Sequence, residues 1–423
     1  MSAYVGNITF NTRNMKANDF WSEVSGSFSA IHRVHWYPAK FPPALVQKSI
    51  KYFEDKGMQI DTIADCFCGC GTTSFESNRL GYNFWGCDIN PVATLITRVK
   101  TNVYDIDVLK AFFSKIVSAY SCSNKVMENP YINNERICYW FDEKHIQELN
   151  ILLTIIRDFG LEKNYEDFFL CAFSNILRLC SRWLMKSIKP QIDPLKKSPQ
   201  VIDAFVSQVE MMIKALIESS TKRQNKSIVI NTDNFVNMKV ESGLVDLIIT
   251  SPPYVTSYEY ADLHQLSTLW LGYVQDYREL RKGTVGSRYF SNLEEFKNYP
   301  INDIGKNILE KLIVCQKNKF KEISKYFIDM DKAVSNMYCI LKPKGGVSLV
   351  IGNTEYGGVY IDNASYIAES MRNAGFQEIN IEKREIRNKI LTSYRDKRGK
   401  FSRQSSGKKV YNEEFIITAR KML

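Results

Sequence analysis

The stretch from 61 to 96, "DTIADCFCGCGTTSFESNRLGYNFWGCDINPVATLI", constrains the fold more than any other part of the chain. It reads as a strand over 62–66, a glycine turn, a helix over 72–80, a strand over 83–87, then a second turn and helix. A strand that returns through a helix to a neighbouring strand is the start of a parallel α/β sheet. Gly69 and Gly71 follow the first strand, where they let backbone approach a ligand at the carboxyl edge of the sheet. The helix that follows offers unpaired N–H groups at its amino end. Asp88 closes the second strand about 20 residues on, the place from which an acid accepts hydrogen bonds from ribose hydroxyls. The turn is G-x-G-T-T, which counts against a dinucleotide, and no lysine follows it as in an ATP-binding loop. On its own such a turn could equally be structural.

Cys66, Cys68 and Cys70 raise the question of a metal. Metal sites present C-x2-C pairs joined by a second pair of Cys or His. Here the spacing is C-x-C-x-C, and His32, His35, His145 and His264 stand at no ligand spacing from it. Small side chains suit a tight strand-to-turn junction, so the expectation is no metal.

A second motif lies in "DLIITSPPYVTSYEY". The apolar run 245–250 reads as a strand and ends in Thr250-Ser251-Pro252-Pro253-Tyr254. Two prolines make the turn rigid and extended, and Pro253 leaves the Pro252 carbonyl pre-aimed. Further strands are expected at "SIVIN", "GGVSLVIGNT" and "EEFIITARK", with a helix, glycine turn and strand in "YIAESMRNAGFQEINI".

Between 101 and 226 the pattern changes to helices. Ile146, Leu149, Leu153 and Ile156 share one helical face, and Ile202, Phe205, Val209, Met212 and Leu216 share another. Between two parts of one sheet-bearing domain, 1–100 and 227–423, the span reads as a helical insertion. "KPQIDPLKKSPQ" is a proline-broken basic loop within it.

The 56 Lys and Arg against 46 Asp and Glu leave a net charge of +10, which favours a polyanionic partner. The excess concentrates in "KREIRNKILTSYRDKRGKFSRQSSGKK", with eleven Lys/Arg against Glu385 and Asp396. That segment could clamp phosphates or be a solvated basic hairpin. No apolar stretch approaches the roughly 18 residues needed to span a bilayer. Scattered cysteines without a visible secretory signal point to reduced thiols and a cytoplasmic location.

The pair "DCFCGCGTT" and "TSPPY" resembles the S-adenosylmethionine-dependent amino-methyltransferases of DNA. There the motifs read D-x-F-x-G-x-G-T-T and S/D/N-P-P-Y/F/W. The Ser-Pro-Pro-Tyr form resembles the cytosine-N4 modification methylases of restriction–modification systems. "HWYPAKFPPALV" resembles a further family motif that folds over the methionine end of the cofactor, and "LKPKGGVSLVIGNT" resembles a later strand. The resemblance covers roughly 30–100 and 227–423 and no part of the insertion; it implies that 1–100 and 227–423 form the catalytic domain and leaves 101–226 as a candidate DNA-recognition region. One familiar feature differs: Cys66 stands where the family has a proline after Asp65.

The resemblance implies a Rossmann-like class I methyltransferase fold with a mixed, mostly parallel sheet. It implies S-adenosyl-L-methionine as cofactor, with Phe67, Gly69, Gly71, Thr72 and Thr73 bordering its methionine and sugar. Asp65 would hold the turn, Asp88 would take the ribose, Asp233 would face the adenine, and Lys40 and Phe41 would lie near the methionine. Ser251 Oγ and the Pro252 carbonyl would accept both N–H bonds of an exocyclic amine, so that its lone pair points at the sulfonium methyl. Pro253 would keep those acceptors fixed, and Tyr254 would stack on a base flipped out of double-stranded DNA. Tyr258, Arg395, Lys397, Arg398, Lys400 and Arg403 would contact the nucleic acid. A cognate restriction endonuclease would be a partner only through the shared target site. Adenine-N6 methylation, RNA methylation and a non-catalytic DNA-binding regulator on the same fold remain as alternatives.

Overall fold

A computed structural model describes residues 12–23, 29–38, 40–123, 128–220, 226–255, 259–287, 289, 299–315, 317–386, 394–395, 401–402, 408–409 and 412–422. In chain order its principal elements are α1 (Pro43–Glu54), β1 (Thr62–Asp65), α2 (Thr72–Arg79), β2 (Asn83–Asp88) and α3 (Pro91–Thr101). The insertion supplies α4 (Ile106–Ser121), α5 (Glu143–Asp158), α6 (Lys163–Cys180) and α7 (Val201–Ser220). Then come β3 (Ile228–Thr232), β4 (Val245–Thr250), α8 (Lys317–Ile340), β5 (Leu341–Ile351), α9 (Asn363–Asn373), β6 (Gln377–Glu385) and β7 (Glu413–Arg420).

These strands form one sheet in the order β3-β2-β1-β4-β5-β7-β6. The neighbours from β3 to β5 are parallel, and β7 runs antiparallel to both β5 and β6. This is the mixed, mostly parallel Rossmann-like class I arrangement. Chain order reverses between β1 and β4, so a crevice opens above their carboxyl ends, the place where ligands bind in open α/β sheets. Ile63 pairs with Leu247 and Ala64 with Ile248, which brings the glycine turn and the Ser-Pro-Pro-Tyr turn onto adjacent strand tips.

Alternation along the strands assigns two faces. Ala64, Ile248, Val347 and Leu349 pack with α8 and α9 in one core, while Ile63, Leu247 and Ile249 pack with Val46, Ile50 and Phe53 of α1 in another. Cys66 lies in the first of these cores, and Cys70 lies in the core shared by α3 and the insertion. The thiols thus fill separate spaces, and burial pushes those of Cys66 and Cys68 up. Among the described residues no group of three His, Cys, Asp or Glu is placed to hold a metal ion, and no helix is long and apolar enough to cross a membrane.

The insertion is not a separate body. Leu149, Phe168, Phe173 and Phe205 share one continuous core with Val92, Leu95 and Val99 of α3, and with Ile31 and Val34 of the amino-terminal segment. The faces read from sequence on α5 and α7 are the ones buried, with Ile202 only partly covered. Helix α6 runs from the amino edge of the sheet to the carboxyl edge. At its start Asp167 takes Arg98 Nε of α3 at 2.6 Å, and near its end Asn175 Oδ1 accepts from the Trp36 amide at 2.7 Å.

Because β7 is reversed, it begins at the carboxyl edge where β6 ends. The chain between them therefore leaves and rejoins the edge that carries both motifs, and the Ile386 amide closes its neck on Asn412 O at 2.8 Å. Within that segment, Tyr394–Arg395 pairs antiparallel with Phe401–Ser402 and with Lys408–Lys409.

Candidate active site at the carboxyl edge of the sheet

Asp65 is the hub of the site. Its Oδ2 accepts from Thr73 Oγ1 at 2.7 Å, and its Oδ1 accepts from the Phe67 amide at 3.1 Å and from Thr250 Oγ1 at 2.6 Å. One carboxylate thereby joins the end of β1, the first turn of α2 and the end of β4. Burial raises Asp65 to about 6, against the pull of its three donors.

The glycine turn needs its glycines. Gly71 caps α2 in the left-handed region, with φ of 73°. A side chain there would place Cβ 2.7 Å from Thr97 Oγ1, and that hydroxyl also donates to Gly69 O at 2.9 Å. Gly69, with φ of 49°, donates its amide to Asp88 Oδ2 at 2.8 Å, while Asp88 Oδ1 takes the Asn90 amide at 2.9 Å. Asp88 is held at about 6 by burial. Asp233 stands beside it, with its amide on Asp88 O at 3.1 Å and its side chain exposed. Thr72 and Thr73 are buried in the first turn of α2, and the Phe67 ring packs edge-on against Phe235. The acids at the tips of β1, β2 and β3 make an acceptor-rich crevice suited to a cationic ligand with ribose hydroxyls.

The amino-terminal segment roofs this crevice. The Tyr37 ring lies about 3.5 Å from where a Gly69 Cβ would stand, stacks on Tyr260, and tilts over His264. Its phenol is pushed up by burial and by Asp88. The Lys40 ammonium donates to His32 O at 2.6 Å and to His35 O at 2.9 Å, and burial lowers it to about 8. It clasps the roof. Phe41 packs against the α1 face of the sheet, among the cores around Leu247 and Val350.

At the second motif, Ser251 Oγ donates to Val350 O of β5 at 3.1 Å. The Ser251 hydroxyl also meets that of Tyr254, so its one proton is committed within the protein and the oxygen keeps a lone pair for an incoming N–H. Among the described residues none donates to the Pro252 carbonyl. Tyr254 is more constrained than a free stacking ring. Its hydroxyl donates to Glu414 Oε1 at 2.9 Å, and its ring edge occupies the place where a Gly352 Cβ would lie, 2.7 Å away. Arg384, buried on β6, reaches Glu414 Oε2 with Nε at 3.3 Å.

His264 is 3% exposed and burial lowers it to about 3, so it is neutral. Leu263, Leu266, Trp270 and Leu271 are core. Tyr258, Lys397, Arg398, Lys400 and Arg403 lie outside the described residues, and Arg395 is described in its backbone alone. Sequence reading assigned no role to Thr250, Tyr37, Thr97 or Glu414. Thr250 and Tyr37 lay inside quoted motifs, whereas nothing local marks Glu414.

Residues 7–98 match the family described as DNA methylase, N6_N4_Mtase. The chain is similar to the Type II methyltransferase M.MvaI of Kocuria varians, 24% identical over 390 residues, covering 86% of this chain and 85% of the other. It is also 23% identical to M.MjaII of Methanocaldococcus jannaschii over 412 residues, covering 76% and 75% of the two chains. For M.BsoBI of Geobacillus stearothermophilus the identity is 23% over 414 residues, with 83% and 80% covered.

Proposed function

From the premise that this chain is a member of the N6/N4 DNA methylase family, we propose that it methylates the exocyclic N4 amine of a cytosine turned out of duplex DNA. It would act as the modifying partner of a restriction endonuclease that shares its target site, in the cytoplasm. The observation that carries the reading is the Asp65 carboxylate bonded to both Thr73 and Thr250, which seats the two motifs at one crevice.

S-adenosylmethionine would supply an activated methyl on a sulfonium and leave as the neutral thioether, so the protein need only bind and orient, and the proton displaced from the amine passes to solvent. Asp88 and Asp233 would accept from the ribose and adenine, and the turn from Phe67 to Thr73 with the Tyr37 roof would hold the rest. An amine conjugated to a pyrimidine ring is a poor nucleophile. Ser251 Oγ and the Pro252 carbonyl, each accepting one N–H, would favour the pyramidal nitrogen whose lone pair is no longer conjugated with the ring. The Val350 bond supports this role, since it turns the serine into an acceptor. Pro253 and the Glu414-bound Tyr254 keep these acceptors in place, so little reorganisation is left for the reaction. Tyr254 keeps its proton, because burial first and Glu414 second push its phenol up.

The acceptor pair would serve an adenine N6 amine as well, and the preference for cytosine rests on the Ser-Pro-Pro-Tyr form. Incubation with isotopically labelled S-adenosylmethionine and duplex DNA, followed by digestion and nucleoside mass spectrometry, decides the matter. N4-methylcytosine is expected. N6-methyladenine would replace the base assignment, and label in RNA alone would overturn the DNA reading. Binding without any product would mark a regulator.

A further inference from the structure

We propose that the loop between α6 and α7, residues 181–199, is a duplex-DNA contact site in which Leu195 acts as an apolar wedge. The proposal rests on the DNA methylase reading and assigns a role to part of the insertion, which the recognised motifs leave without one.

Placement comes first. Helix α6 ends at the carboxyl edge, where Arg178 lies between two indoles, 3.6 Å from the Trp36 ring centre and 4.9 Å from that of Trp183. Trp36 precedes Tyr37, the roof over Gly69. The loop therefore rises from the same edge as the two motifs, on the insertion side, so a duplex held against it lies over the edge that carries the Ser-Pro-Pro-Tyr turn.

The loop is built rather than slack. Leu184 N donates to Gln191 O at 2.8 Å and Asp193 N to Arg182 O at 2.8 Å. Lys196 Nζ ties it to Arg178 O at 2.7 Å and to Trp183 O at 3.1 Å, and Trp183 is fully buried against Trp140. On this frame Lys186, Lys189 and Lys197 are exposed, and among the described residues none of them forms a salt bridge with a carboxylate. Leu195 is 87% exposed on the same loop, and Met185 is 48% exposed. A rigid loop that holds a large apolar side chain in water, and carries exposed lysines along its length, matches a polyanion with an apolar interior. Stacked bases between phosphates have that chemistry, and leucine is among the side chains that wedge between base steps. Charge complementarity selects DNA over an apolar protein face.

The test uses the whole protein with a mixed-sequence duplex and genomic DNA lacking the modification. Replacing Lys186, Lys189 and Lys197 together by Ala should flatten the dependence of log affinity on log salt by about two to three units, at ~0.9 for each phosphate no longer neutralised. Leu195→Ala should leave that slope unchanged and lower kcat/KM on DNA about tenfold, since a wedge acts on base unstacking rather than on phosphates. Affinity for S-adenosylmethionine should not change in either variant. As a control, Lys51→Ala with Lys56→Ala, on the opposite edge of the sheet, should alter neither readout. An unchanged salt slope in the triple variant, or full DNA activity in Leu195→Ala, overturns the proposal while wild-type methylation stands. Wild-type protein that neither binds nor methylates DNA would instead overturn the functional reading beneath it.

Discussion

The Thr250 hydroxyl donates a 2.6 Å hydrogen bond to Asp65 Oδ1 across 185 residues of sequence. Both groups are buried, at 0% and 3% exposure, and the bond spans the adjacent tips of β4 and β1. It sets the distance between the cofactor turn and the amine-binding turn.

Thr250→Val keeps the shape and removes the donor. A hydrogen bond to a buried charged group contributes about 1.5–3 kcal/mol, so urea denaturation should show a loss of that order. Turnover should fall with it, because both turns lose a shared anchor. Wild-type stability in the variant would show that Asp65 does not depend on this bond.

Ser251→Ala removes one of the two acceptors and leaves the glycine turn, Asp88 and the Tyr37 roof unaltered. Loss of one preoriented group of this kind typically lowers turnover about 100- to 1,000-fold. Calorimetric affinity for S-adenosylmethionine should stay within about twofold by the same argument, since the missing hydroxyl serves the amine. Parallel loss of both quantities would remove Ser251 from its assigned role.

Burial raises Asp65 and Asp88 from 3.8 to about 6. For an acid raised on folding, the native state binds more protons between those two values, so unfolding free energy falls as pH rises from 3.8 to about 6. A cationic cofactor favours the ionised carboxylates and lowers their pKa on binding. Affinity for S-adenosylmethionine should therefore be level above about pH 7 and weaken as pH falls through about 6. Asp88→Asn should bind more weakly at every pH and show a shallower decline. An affinity flat across that range in the wild type would refute this.

Glu414 receives the Tyr254 hydroxyl on one oxygen and faces Arg384 on the other. Glu414→Ala strands a half-buried phenol and a buried guanidinium, at a cost of up to about 3 kcal/mol for the broken, partly exposed ion pair. Glu414→Gln still accepts from Tyr254. It should retain most turnover, whereas the alanine variant should lose at least about tenfold as the Ser-Pro-Pro-Tyr turn loosens. Steady-state kinetics with thermal unfolding of both variants distinguishes this from a proton-accepting role, in which glutamine would fail as badly as alanine.

Much of the fold was legible because its signals are local. The glycines at 69 and 71 announce left-handed backbone, the apolar runs announce buried parallel strands, and the double proline announces a stiff turn. The faces of α5 and α7 could be read from periodicity alone. Lys40 and Tyr254 were harder. A lysine or tyrosine in a motif is assigned to the ligand by habit of pattern, yet here an ammonium meets two main-chain carbonyls and a phenol meets a distant glutamate. No window of sequence contains those partners.

By itself, then, the chain's order of residues determined the strands, the turns and the chemistry carried at each strand tip, since backbone preference and side-chain alternation act over a few neighbours. Tertiary structure alone decided which tips stand together. The order β3-β2-β1-β4-β5-β7-β6 and the docking of the insertion on α3 depend on burying apolar faces that lie far apart in sequence. That long-range burial makes Asp65 a neighbour of Thr250, puts Glu414 beside Tyr254, and brings the end of α6 to the edge that carries both turns.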